Sequence, residues 1–175
     1  MQKNNALLTT KQLTTVAAMI AMAVLLKSIL VIETGTFRFT FYDIPMMIIG
    51  IMFGPLVGGA AGVIVDFFHM MFSPFAFTFN VFTLSTVMWA VIPGLILFGN
   101  KLTRGKLILT VVIASVIAFS LNTIGIVQYQ GLGQMLGTLP YRIGVLFIKL
   151  PIQVYFIEVL YNRVIIQNLH LLRQN

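Results

Sequence analysis

Apolar residues run in long blocks separated by short polar breaks, and the block lengths predict helices that cross a membrane. The first block, 11–32, holds about 22 residues, enough for a hydrocarbon core of about 30 Å. Positions 33–42 then depart from the pattern with Thr34, Gly35, Thr36, Arg38 and Thr40. A short second element, 44–53, opens with Pro45, where a helix start needs no amide. Gly54-Pro55 ends it, and 56–72 forms a third block closed by Ser73-Pro74. After an aromatic loop, 75–79, the fourth block covers 80–98, with Pro93-Gly94 expected to kink its end. A cationic loop, 100–106, leads to a fifth block, 107–128. A polar, glycine-rich loop over 129–141 and a sixth block, 142–167, interrupted by Pro151, precede a basic tail at 168–175. The pattern predicts an all-α integral membrane protein, a six-transmembrane-helix bundle forming one domain over 1–175.

Composition agrees: 59% of residues are hydrophobic, only 9% are charged, and mean hydropathy is +1.00. A soluble domain carries far more charge. A net charge of +7 would suggest nucleic acid in a soluble chain. Here the loop cations set orientation instead, and no nucleic-acid partner is expected. Six spans put both termini on one side, together with Lys3, Lys11, Lys101, Arg104, Lys106, Arg163 and Arg173. The positive-inside rule therefore makes both termini cytoplasmic. No cleavable signal is evident, because the start is polar and the first apolar run is long enough to span.

The remaining cations, Lys27, Arg38, Arg142 and Lys149, fall in the outer half or its loops. Arg142 and Lys149 are nearly two turns apart on one helix face, and Gln153 continues the stripe. Such a stripe suits an anionic organic ligand, with Arg gripping a carboxylate and Lys acting as a point charge. Snorkelling to the interface is the competing reading, and for Lys27 it is the preferred one. Arg38, among Phe37, Phe39 and Phe41, fits either a lid over a cavity or an ordinary exposed loop.

Gly58, Gly62, Asp66 and Met70 recur every four positions and share a helix face. A carboxylate deep in a membrane helix costs about 2.5–3.5 kcal/mol, so it faces a polar cavity or a partner. The preferred reading aims Asp66 into a ligand cavity floored by a close helix contact at the glycines. The alternative is an Asp that hydrogen-bonds neighbouring helices. Asn80, Thr83, Thr86 and Trp89 recur every three positions and offer hydrogen-bonding groups and an aromatic wall. In a membrane bundle such groups, and Asn122 in the fifth block, are more often glue between helices.

Several chemistries are excluded. The chain has no Cys, and His69 with Asp66 is too small a set for a metal, so no metal site is expected. No phosphate loop is present, so the chain itself hydrolyses no ATP and binds no cofactor. The Asp66/His69 pair lacks an oriented nucleophile, so no catalytic residue is assigned. An intramembrane enzyme and a structural or assembly membrane protein remain the alternatives from other classes.

Particular stretches resemble the substrate-binding S components of energy-coupling-factor (ECF) vitamin transporters, in the folate/pantothenate group. Ala17-x-x-x-Ala21 is similar to the alanine motif by which that family docks on its transmembrane coupling subunit. Arg38-Phe39-Thr40-Phe41, Ile44-Pro45, and Gly50-Ile51-Met52-Phe53-Gly54-Pro55 continuing through Gly58 to Asp66 are similar to the loop-to-second-helix signature. Phe82-Thr83-Leu84-Ser85, and Arg142 with Lys149-Leu150-Pro151-Ile152-Gln153, fit the same group. The resemblance implies a subunit in a bacterial plasma membrane that captures a water-soluble vitamin from outside. It also implies a coupling (T) component and two ATPase subunits as partners, with ATP hydrolysed by the latter. Folate-binding members carry Pro-Gly before Phe-Thr-Leu-Ser, whereas this chain departs with Asn80-Val81 there and with Tyr42-Asp43 in place of a Gly-rich stretch before Ile44-Pro45. That departure favours a narrower, amide-lined site and pantothenate, with folate as the alternative. The expected ligand set is Lys149, Arg142, Asp66, Asn80, Thr83, Trp89, Gln153, Arg38 and Asn122.

Overall fold

A computed structural model describes residues 8–33, 38–72, 79–100 and 103–161. The basic tail, Lys3, Lys101, Arg163, Arg173, the Ser73-Pro74 break and nearly all of the aromatic loop lie outside the described residues. The element order is α1 (Thr10–Ser28), β1 (Ile32–Glu33), β2 (Arg38–Phe39), α2 (Asp43–Phe72), α3 (Val81–Leu97) and α4 (Arg104–Leu160). α1, α2 and α4 are long and apolar enough to cross a membrane, and α3 is a shorter apolar helix.

Local chemistry sets the helix starts. Thr9 and Gln12 form a reciprocal capping box at α1, with Thr9 N donating to Gln12 Oε1 at 2.8 Å. Asn80 caps α3: Phe82 N donates to Asn80 Oδ1 at 2.9 Å, and Asn80 N donates to Thr83 Oγ1 at 3.2 Å. Both boxes satisfy amides that a helix start leaves open. The first span stops at Ser28, short of 32, because Ile32 and Glu33 pair antiparallel with Phe39 and Arg38. That two-residue ladder is the one departure from an all-helical fold among the described residues.

Two glycines with positive φ break the long helices. Gly54 (φ 87°, ψ 174°) interrupts α2, and Gly131 (φ 86°, ψ 168°) interrupts α4. A left-handed φ is nearly free for glycine and costly for any other residue. Arg104 and Glu158 are 158 − 104 = 54 positions apart, which one straight helix would hold about 80 Å apart. Their side chains instead meet at 3.4 Å, so α4 doubles back at Gly131. The expected loop over 129–141 is therefore helical except at its turn. Gln128, Gln130, Gln134, Met135 and Leu136 are good helix formers, and their propensity outweighs the scattered glycines.

α2 packs most extensively on α3, and α3 on α4. The α2–α3 contact depends on missing side chains. A Cβ on Gly50 would lie 2.0 Å from the Ala90 carbonyl oxygen, and one on Gly62 2.7 Å from Val87 Cα. One on Gly58 would meet Ala90 Cβ at 2.9 Å, so both arms of α2 close on the same α3 residue. In lipid, where apolar burial gives little drive, such close backbone approach supplies the dispersion contacts that hold helices together. The core around it holds Met46, Met47, Ile49, Val65, Leu97, Leu107, Val111 and Ile157. Large apolar side chains also cover the outside, with Leu56 86% and Phe147 69% exposed, as a hydrocarbon surround permits. α1 is the least covered helix, burying only Val16, Ala23 and Lys27.

Candidate functional site

α3 and the two arms of α4 line a half-open cavity of about 130 Å³. The first arm contributes Ser115, Ala118, Phe119 and Asn122, and the second Arg142, Val145, Leu146, Lys149 and Gln153. Trp89 of α3 completes the wall. The fold-back at Gly131 brings Arg142 against the first arm. Its Nη2 donates toward the Phe119 carbonyl at 3.5 Å, and its guanidinium lies 4.7 Å from the Phe119 ring centroid. Arg142 Nη1 is buried without a hydrogen-bond partner among the described residues.

Lys149 carries a different environment. Its ammonium lies 5.7 Å from the Trp89 ring centroid and 3.0 Å from Asp43 Oδ1, at the start of α2. Asp43 is fully buried, and neither of its oxygens receives a well-directed hydrogen bond from a neighbour among the described residues. The Lys149 charge is thus its main compensation. Gln153 Nε2 and Ser115 Oγ, like Arg142 Nη1, are buried and unpartnered among the described residues. An unmatched buried polar group costs about 1–3 kcal/mol. Three of them on residues lining one cavity create a demand for a polar ligand that can pair with them.

Five of the nine expected ligand residues therefore meet at one place: Arg142, Lys149, Gln153, Trp89 and Asn122. Three others do not line it. Asp66 is 4% exposed and ion-paired with Lys27, and its carboxylate accepts hydrogen bonds from Thr83 and Thr86. It acts between α1, α2 and α3, so the helix-bridging alternative describes it. Thr83 belongs to that shell, and Asn80 is spent on its cap. Arg38 lies on β2 as backbone, and its side chain is outside the described residues. Lys27 does not snorkel; it is buried against Asp66, donates to Thr86 Oγ1 at 2.7 Å and lies 5.0 Å from the Tyr42 ring centroid. An acid one helix away holds it inside.

Sequence reasoning missed Asp43, Ser115 and Phe119. Ser115 and Asn122 are seven apart with Ala118 and Phe119 between them, a single helix face that spacing alone could have marked. Asp43 carried a weaker signal, a lone acid opening an apolar element.

A family model described as "ECF transporter, substrate-specific component" matches residues 11–165. The chain belongs to this family. It is a family of transporter components, not of enzymes. The folate transporter FolT of Clostridium novyi (strain NT) is 36% identical over 109 residues, 62% of this chain and 63% of that protein. The match thus spans less than two thirds of that relative's length. A solved structure described as FolT bound with folic acid superposes with a TM-score of 0.76 at 26% identity. The superposition covers 89% of this chain and 95% of the other.

Neither relative supports the preference for pantothenate. That preference rests chiefly on Asn80 and Val81 as pocket wall. Asn80 instead caps α3, and neither residue lines the cavity.

Proposed function

We propose that this chain is the folate-binding subunit of an ECF importer. It spans a bacterial plasma membrane six times as one domain, with both termini cytoplasmic. The breaks at Gly54 and Gly131, which divide α2 and α4, support the six-span count. The cavity between α3 and the arms of α4 receives the vitamin from outside. Arg142 pairs with a ligand carboxylate, and Trp89 and Phe119 lie against its aromatic rings. Ser115, Asn122 and Gln153 exchange hydrogen bonds with the amide and ring nitrogens. Ala17 and Ala21, both exposed on α1, meet the coupling component. Two ATPase subunits hydrolyse the ATP, and this chain makes and breaks no bond.

The observation that carries this reading is the set of unpartnered buried polar atoms on Arg142, Ser115 and Gln153 around one cavity, beside an indole. The likeness to FolT favours folate over pantothenate as the occupant. Trp89 is the single tryptophan, so its fluorescence reports on the cavity directly. Folate added to the purified chain should quench that emission saturably. Pantothenate should fail to reverse the quench at about a hundredfold excess, a margin of about 2.7 kcal/mol. Tighter binding of pantothenate than of folate would overturn the assignment.

A further inference from the structure

The cations of the cavity are not equivalent. Lys149 has an acid in contact, Asp43 Oδ1 at 3.0 Å, and that acid is wholly buried with no other strong compensation. Among the described residues Arg142 has no acid in contact; its one hydrogen-bond acceptor is the Phe119 carbonyl at 3.5 Å, and its Nη1 is unmatched. A second carboxylate arriving at Lys149 would have to displace Asp43 and leave a buried, unpaired anion behind. Breaking a buried pair in that way is strongly unfavourable.

We propose that Asp43 is a positioning residue that sets the charge selectivity of the site: by occupying Lys149, it leaves Arg142 to receive one ligand carboxylate. The inference rests on the folate reading and deepens it, since it says how much of the ligand's charge the cavity recognises. Of folate's two carboxylates, one is paired inside and the other adds little. Asp43 itself touches no ligand and acts through Lys149.

The test compares folate with its γ-monoamide (pteroylglutamine), which keeps the whole skeleton but carries a single carboxylate. Both are titrated against the purified full-length chain through Trp89 fluorescence. For the unmodified chain the two dissociation constants should agree within about threefold, less than 1 kcal/mol apart. Asp43→Asn frees Lys149 for a second carboxylate and should raise the preference for folate by about tenfold or more. Asp43→Asn/Lys149→Met removes the pair as a whole and should return the preference to its original value. A merely structural role for Asp43 would weaken both ligands alike and leave the ratio unmoved, and that result overturns the inference. So does a ratio still raised in the double variant. If Asp43→Asn does not fold, the unmodified chain decides: a preference for folate beyond about tenfold shows that Lys149 already serves the ligand. A chain that binds neither compound overturns the folate reading as well, whereas binding of both with an unmoved ratio overturns this inference alone.

Discussion

The Lys27 ammonium of α1 reaches the Asp66 carboxylate of α2 inside the bundle, and Thr83 and Thr86 of α3 donate to the same carboxylate. Both charges are nearly sealed, at 7% and 4% exposure. The contact therefore fastens the least covered helix to the rest. Lys27→Met leaves a buried anion without its counter-charge and should cost about 3–5 kcal/mol of stability. Lys27→Met/Asp66→Leu removes both charges and should recover most of that loss. Thermal unfolding in detergent distinguishes the two. A single variant as stable as the parent would show the pair to be idle.

The glycines divide into two kinds with opposite expectations. At Gly62 an added methyl would press on Val87 Cα at 2.7 Å, backbone that cannot step aside. Gly62→Ala should thus destabilise by about 1–3 kcal/mol, as overpacking does. At Gly133 and Gly137 nothing stands within 4 Å of the new methyl. Gly133→Ala and Gly137→Ala lie within a helix and should leave stability unchanged or raise it by up to about 1 kcal/mol each. Melting temperatures that fall alike at all three positions would contradict the packing described.

Arg142 is the cavity cation without an acid partner among the described residues, so ligand affinity should depend on it. Arg142→Met removes a charge-assisted hydrogen bond worth about 1.5–3 kcal/mol and should weaken folate binding ten- to over a hundredfold. Arg142→Lys restores the charge without the planar fork and should recover only part of the affinity. Titration of Trp89 emission measures both. An unaltered dissociation constant in the Met variant would remove Arg142 from the site.

Ala17 and Ala21 are exposed on α1, away from the cavity. Ala17→Leu and Ala21→Leu should leave ligand binding by the isolated chain intact. They should abolish uptake by cells carrying the complete importer, because a bulkier side chain blocks close approach of a partner helix. Uptake at the parental rate would show that the coupling subunit docks elsewhere.

Much of this arrangement was legible in the chain. Apolar block lengths marked the helices, Gly54-Pro55 marked the turn in α2, and the spacing of Arg142, Lys149 and Gln153 marked one wall of the cavity. The partners of the acids were not legible. Asp66 meets Lys27, 39 positions away, and Asp43 meets Lys149 across the bundle. Helix periodicity says which residues share a face, but not which face of another helix lies opposite. Asp66 alone reads as costly and Lys27 alone as a snorkelling end residue; each is buried because the other is there. The turn at Gly131 was hidden for another reason. A polar, glycine-rich stretch reads as loop, whereas one glycine with positive φ reverses a helix without any loop.

The charge of the described interior nearly cancels. Lys27 balances Asp66, Lys149 balances Asp43, and Arg142 alone is left over. Folate brings two carboxylates: the one at Arg142 makes the sum zero, and the second leaves one negative charge in excess. The membrane voltage acts on an uncompensated elementary charge with about 2.3 kcal/mol per 100 mV. A bundle loaded with folate feels that force with its sign reversed. A voltage that favours movement of the filled site across the bilayer should therefore oppose movement of the empty bundle, and depolarising vesicles should change the two rates in opposite directions.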